Sequence, residues 1–264
     1  MALGFLSMFP GWEGLAIPAS AERNGKQRVE ITIIYDNNPF DPRLQADWGF
    51  SCVIKLAGGS ILFDTGGDGG ILLDNMQKLG IDPKGIHTVV LSHIHGDHVG
   101  GLSSLLQQNR KVTVYAPASF PQRWKEEIRY EGATLEEVRP AKEISPSVFT
   151  TGELDGGIKE QSLVLASPHG LVVITGCAHP GIVNIVRQAK EVGRDRVHLA
   201  LGGFHLGGAT TSTIEDIIKT FLKLGVQKVA PCHCSGERAR KLFQGHFGPS
   251  YIAAGVGKEI IIAE

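Results

Sequence analysis

The sequence predicts an α/β fold, and three observations carry that expectation. Short apolar runs suited to strands alternate with segments whose apolar residues recur every three or four positions, as on a helix. No low-complexity linker, solenoid period or helical repeat interrupts the alternation. Two halves, around 28–130 and 147–263, each open with strands and then pass into strand–helix alternation. Packed sheet against sheet with helices outside, such halves make a four-layer αββα sandwich. Periodicity alone equally permits a three-layer doubly wound sheet.

In chain order, residues 28–35 (RVEITIIY) alternate as a half-buried strand, and 50–56 with 60–63 read as a hairpin around Ala57-Gly58-Gly59. Residues 70–80 carry helical spacing and stop at a glycine. The run HTVVLS at 87–92 is a continuous apolar strand of the kind buried on both faces. Helix signals follow at 98–108, 121–130, 181–192, 212–224 and 236–244. Between them KVTVYA, SLVLAS, GLVVITG, VHLALGG, KVAPC and EIIIA read as strands.

Residues 1–27 stand apart as an expected irregular extension ahead of a single domain at 28–264. They open with the apolar MALGFLSMF and contain Ala19-Ser20-Ala21, which resembles a cleavage site. However, no Lys or Arg precedes the apolar run, and Pro10, Gly11 and Glu13 interrupt it. A cytoplasmic protein is therefore expected, with an atypical export signal as the alternative.

Composition narrows the class. The 264 residues hold 26 Lys+Arg against 27 Asp+Glu, with 42% hydrophobic and 20% charged residues, an ordinary globular balance. Near-zero net charge disfavours a chain built to coat nucleic acid or anionic membrane. No apolar stretch reaches the roughly 18 residues that span a bilayer. The four cysteines (Cys52, Cys177, Cys232, Cys234) do not form the framework of a small secreted domain and read as free thiols. The chain also has 34 glycines and 10 clustered histidines, which suggests tight loops gathering metal ligands.

The densest cluster follows the 87–92 strand: Ser92-His93-Ile94-His95-Gly96-Asp97-His98-Val99-Gly100-Gly101. In extended backbone His93 and His95 share one side and Ile94 takes the other. Gly96 allows a turn that brings Asp97 and His98 round to the same space. Imidazoles with a carboxylate are donors that a borderline divalent ion such as zinc favours.

This run resembles the signature of the metallo-β-lactamase superfamily, and Leu62-Phe63-Asp64-Thr65-Gly66 resembles the family's Asp-Thr-Gly turn. Trp48-Gly49-Phe50-Ser51, Thr175-Gly176-Cys177-Ala178-His179-Pro180-Gly181, Leu201-Gly202-Gly203-Phe204-His205-Leu206 and Pro231-Cys232-His233-Cys234-Ser235-Gly236 extend the likeness. Together they resemble the branch named for dihydropterin–aminobenzene phosphate synthases, often labelled dihydropteroate-synthase-like. The resemblance implies the αββα sandwich and a divalent metal centre: two zinc ions, with Mn, Fe or Mg as alternatives. It implies His93, His95 and His179 at one ion, Asp97, His98 and His233 at the other, and Asp64 orienting a histidine. Cys177 stands where relatives often carry a bridging Asp, so the bridge is expected to be solvent alone, with ligation by Cys177 as the alternative. Cys232 and Cys234, flanking His233, are expected to face away from it as packed thiols.

Three readings of function follow. The first is a hydrolase whose metal-activated water attacks an ester, lactone, amide or phosphoester. Asp97 then orients the water, and His205, at the end of another apolar strand, protonates the leaving group, with a metal or the substrate as the alternative that it takes. The second is a transferase of pterin biosynthesis like the branch's namesake, and the third a non-catalytic metal-binding or sensing protein. The complete front motif weighs against the third. Redox chemistry is disfavoured, because the di-iron branch carries Glu where His95 stands. The expected partner is a small, anionic or phosphorylated molecule, with nucleic acid and membrane disfavoured. Its anionic group is expected at Ser235-Gly236, with Ser235 capping the helix GERARKLFQ.

Overall fold

The computed structural model describes residues 28–263; the expected extension at 1–27 lies outside the described residues. Along the chain come β1 (Val29–Asp36), β2 (Phe50–Leu56), β3 (Gly59–Phe63), α1 (Gly69–Lys78), β4 (Ile86–Val90), α2 (Gly96–Val99) and α3 (Leu102–Gln108). Next are β5 (Thr113–Pro117), α4 (Gln122–Tyr130), β6 (Thr134–Val138), β7 (Lys142–Ser145), β8 (Val148–Thr150), β9 (Leu163–Ser167) and β10 (Gly170–Thr175). The chain continues through α5 (Ile182–Gly193), β11 (Val197–Gly203), α6 (Thr211–Leu224), β12 (Lys228–Cys232), α7 (Glu237–Phe247) and β13 (Glu259–Ile262).

Two sheets form, in the orders β13-β1-β2-β3-β4-β5-β6 and β12-β11-β10-β9-β8-β7. Ile31, Ile33, Phe50 and Ile54 of the first pack with Leu163, Leu165, Val172, Ile174, Leu199 and Leu201 of the second, so one core lies between the sheets. A second core joins the outer face of the first sheet to Leu72, Met76, Leu105 and Ile128 of its helices. A third joins Val164, Val173 and Ala200 to Ile185, Ile218 and Phe243. Three apolar interfaces separate four layers, and the fold is the αββα sandwich. Burial on both faces explains why β10 and β11 read as continuous apolar runs rather than alternations, and β4 is buried on both faces from Val89 onward.

Several expectations are corrected. The last strand does not complete the second half: β13 crosses back to pair antiparallel with β1, Ile260 opposite Ile31. Strands β6 and β7 gave no sequence signal because they are short, polar and at sheet edges (TLEEV and KEIS). The helix expected at 98–108 is broken into α2 and α3 at Gly100-Gly101. A Cβ on Gly100 would stand 2.2 Å from the Gly67 carbonyl oxygen, and one on Gly101 2.2 Å from that of Thr65. That close approach locks the histidine loop onto the Asp64-Thr65-Gly66 turn.

The neighbouring strands β10, β11 and β12 run parallel, as do β3 and β4. Loops at the carboxyl ends of such strands gather at one edge, where α/β folds place their ligands. Among the described residues no helix is long and apolar enough to cross a membrane.

Candidate metal centre

The loops after β4, β10 and β12 bring the expected donors together in two adjacent groups. His93, His95 and His179 form one; Asp97, His98, Cys177 and His233 form the other; within each, the donor atoms lie within 4.8 Å of one another. In the first, His93 Nε2 is 3.2 Å from His95 Nδ1, and the His179 ring centre lies 4.6 Å from that of His93. In the second, His98 Nε2 stands 3.2 Å from both His233 Nε2 and Cys177 Sγ. Asp97 Oδ2 lies 3.3 Å from His233 Nε2. The His93 and His98 rings, 4.2 Å apart, join the groups.

Each buried imidazole is held from behind. Asp64 accepts from His98 Nδ1 at 2.7 Å while also accepting from the Ser92 backbone N–H and hydroxyl, each at 2.7 Å. Asp64 thus lies behind the His98 ring, on a backbone with positive φ of 56°. Ser92 Oγ lies 2.9 Å from His93 Nδ1. Asn37 Oδ1 accepts from His233 Nδ1 at 3.0 Å, and the Asp36 carboxylate accepts from the His233 backbone N–H at 3.1 Å. Glu160 accepts from His179 Nδ1 at 2.9 Å.

Glu160, Ser92, Asn37 and Asp36 were not expected from sequence. Glu160 sits in IKEQSLV and Asn37 just past β1, so no local pattern marks either; only the crossing of distant loops does.

These partners test whether a cation fits. Because Asp64 and Asn37 each take a proton from Nδ1, the Nε2 lone pairs of His98 and His233 face each other at 3.2 Å. A carboxylate oxygen and a sulfur close the same space. Electron-rich donors crowded this way repel one another unless a cation lies between them, so the donor set fits a divalent metal. Burial, together with neighbouring imidazoles, pushes His93 down to about 2, keeping it neutral and able to ligate. Partial burial raises the Asp97 carboxyl, but in the metal-free protein the adjoining His98 and His233, when they take up a proton, outweigh this and hold it below the usual range.

Two expectations about cysteine change. Cys177 Sγ lies inside the second donor group, where the alternative of ligation by Cys177 puts it, and not within the group of His93, His95 and His179. Cys234 does not face away from the site, because residues 233–235 form a 3₁₀ turn with positive φ at His233 (46°) rather than extended chain. Its Sγ lies 3.6 Å from the Cys177 carbonyl oxygen and groups with Cys177 and His205. Their hydrogen bond lowers Cys234 and raises Cys177. His205 is exposed at the rim, its ring 4.7 Å from that of His179.

The expected cap at Ser235 is also corrected. Helix α7 starts after Gly236 with no side-chain cap, and Ser235 is fully buried, its hydroxyl accepting the Phe204 N–H at 3.0 Å. That hydroxyl is turned into the protein and does not offer a donor to an anion in the cleft. Gly181 does open α5, as expected. Outside the centre, His169 and His198 pair with ring centres 5.2 Å apart, at the far end of β10 and β11 from the metal donors.

A helix-flanked double sheet with a His-x-His-x-Asp-His loop at its strand ends defines a class of metal-binding protein. Residues 49–182 match the family model of the metallo-β-lactamase superfamily, and the chain belongs to that superfamily. It is similar to the 7,8-dihydropterin-6-methyl-4-(β-D-ribofuranosyl)-aminobenzene-5′-phosphate synthase of Methanocaldococcus jannaschii, 29% identical over 85% of this chain and 92% of the relative. A solved structure, Tm1679, described as a metal-dependent hydrolase of the β-lactamase superfamily, is 30% identical, with a TM-score of 0.75 over 89% of this chain and 100% of that one. The metallo-β-lactamase fold protein YhfI of Bacillus subtilis shares the fold at 13% identity, with a TM-score of 0.68 over 89% of this chain and 100% of that one.

Proposed function

We propose that the protein is a metal-dependent hydrolase that binds two divalent ions, zinc foremost, and acts on an ester, lactone, amide or phosphoester of a small molecule. The observation that carries this reading is the pair of abutting donor groups, joined where the His93 and His98 rings approach to 4.2 Å. His93, His95 and His179 would hold one ion and Asp97, His98 and His233 the other, and such ions would supply Lewis-acid polarisation and lower the pKa of water to about 7. The chain's own residues do the rest. Asp97, partly exposed and held below the ordinary carboxylate range, orients the attacking water from the open side. Asp64, Glu160 and Asn37 hold three imidazoles in one tautomer and one orientation, so the donors need no rearrangement when substrate arrives.

A second reading, a transferase coupling two organic substrates, is favoured by two observations. Similarity to the synthase runs over 92% of that protein's length. In addition, the indole of Trp48 is 56% exposed and lies 4.8 Å from the His233 ring, offering a flat apolar face at the rim to an aromatic ring system.

Turnover of phosphoester, lactone, amide and pterin substrates in ¹⁸O-labelled water separates the two. Solvent oxygen in the product supports hydrolysis. A coupled product free of solvent oxygen supports transfer and rejects the hydrolase reading.

A further inference from the structure

We propose that Cys177, Cys234 and His205 form a third, thiophilic metal position that shares the Cys177 sulfur with the second donor group and takes zinc or a similarly soft divalent ion. This goes beyond the two-ion centre and does not depend on whether the reaction is hydrolysis or transfer.

The fold delivers these three side chains together. β10, β11 and β12 are successive parallel neighbours, and Cys177, His205 and Cys234 each follow the carboxyl end of one of them. Their donor atoms all lie within 4.8 Å of one another. Zinc bonds of about 2.3 Å to sulfur and about 2.0–2.1 Å to nitrogen put tetrahedral donors roughly 3.5–3.8 Å apart, so small side-chain rotations close the site. A thiolate has lone pairs enough to bridge two ions, which permits Cys177 to serve both positions. Two sulfurs and one imidazole leave a fourth position, and the exposed His205 sets the group at the solvent-facing rim.

The backbone is arranged around this meeting. A Cβ on Gly203 would stand 2.3 Å from the Gly176 carbonyl oxygen and 2.7 Å from Cys234 Sγ, so only glycine lets these loops close. Ala178, His205 and His233 all hold positive φ, at 61°, 53° and 46°, a costly conformation that gathers where a site needs it. The Phe204 N–H to Ser235 Oγ bond at 3.0 Å and the Gly207 N–H to Cys234 carbonyl bond at 3.2 Å tie the His205 loop to the Cys234 turn. Ser235 thus helps to build the soft site instead of an anion site. His205 becomes a ligand, the metal-binding alternative that the sequence left open beside its role as proton donor.

The test titrates the full-length, metal-free, reduced protein with cobalt(II), reading bound metal per chain and the sulfur-to-cobalt charge-transfer absorption, then repeats the titration with zinc. Wild type is expected to take three ions. Cys234→Ser and His205→Ala should each stop at two, and Cys234→Ser should keep a weaker charge-transfer band from Cys177. Cys177→Ser should lose the third ion and hold the second less tightly. Should circular dichroism show Cys234→Ser unfolded, His205→Ala decides, because that side chain is exposed. Wild-type saturation at two ions, or a folded Cys234→Ser or His205→Ala variant that still takes three, overturns the proposal. So does a Cys177–Cys234 disulfide that survives treatment with excess reductant.

Discussion

Glu160 Oε2 and His179 Nδ1 meet at 2.9 Å, and the same buried carboxylate accepts the backbone N–H groups of Cys177, Ala178 and His179 at 2.9–3.0 Å. One side chain from the loop before β9 thus shapes the turn that carries a donor of each metal group. Its tie to the Thr175 hydroxyl at 3.0 Å anchors that turn to the end of β10.

Glu160→Gln tests this arrangement. The amide keeps the size but removes the charge and puts an NH₂ toward donors, so His179 loses its fixed tautomer. Zinc affinity at the first donor group should fall 10- to 100-fold by chelator competition, on the order seen for such supporting partners. Unchanged affinity would show that His179 does not depend on Glu160.

Acid stability of the metal-free protein follows from the same group. Burial alone raises the Glu160 carboxyl, but the hydrogen bonds it accepts from His179 and from the backbone N–H groups of the turn outweigh it and bring it to about 2, below the ordinary 4.5. Its stabilisation is therefore present above 4.5 and lost as pH falls toward 2. Thermal melts across that window should fall more steeply for wild type than for Glu160→Gln; parallel profiles would remove this role.

Asp97→Asn keeps the shape of the open-side ligand and removes its charge. Turnover should drop by about two orders of magnitude or more, the scale of losing one electrostatic stabiliser, while the melting temperature of the metal-free protein changes little. A variant with full activity and full metal content would refute the assignment.

Ser235→Ala leaves the buried Phe204 N–H without its acceptor and should cost about 1–3 kcal/mol in denaturant unfolding. Inhibition by inorganic phosphate should stay as in wild type. A loss of phosphate inhibition with stability unchanged would restore the anion role for Ser235.

Chelation should lower the melting temperature, because metal bound only by the folded state stabilises it by about 2.7 kcal/mol per ion at 100 times the dissociation constant. Removing the cation also leaves the facing nitrogens of His98 and His233 unshielded at 3.2 Å. Equal melting with and without chelator would contradict a metal centre built from these donors.

The sequence by itself determined the local parts. Continuous apolar runs marked β4, β10 and β11, and His93 to His98 lie so close along the chain that one turn gathers them. The Asp64 turn and most strands and helices were legible for the same reason, since each is set within a few residues, whereas the short β6, β7 and β8 were not. Tertiary structure alone decided which distant groups complete the centre. Asn37 reaches His233 across 196 positions, and Glu160 reaches His179 from a separate loop. Cys234 turns toward Cys177 only because His233 adopts a positive φ that extended-chain reasoning does not anticipate. Return of β13 to β1 was equally hidden, for strand pairing depends on which edges meet when the sheets pack. Ligand spacing is a property of one segment, whereas a hydrogen-bond partner, a shared sulfur and a sheet edge are properties of segments that only folding brings side by side.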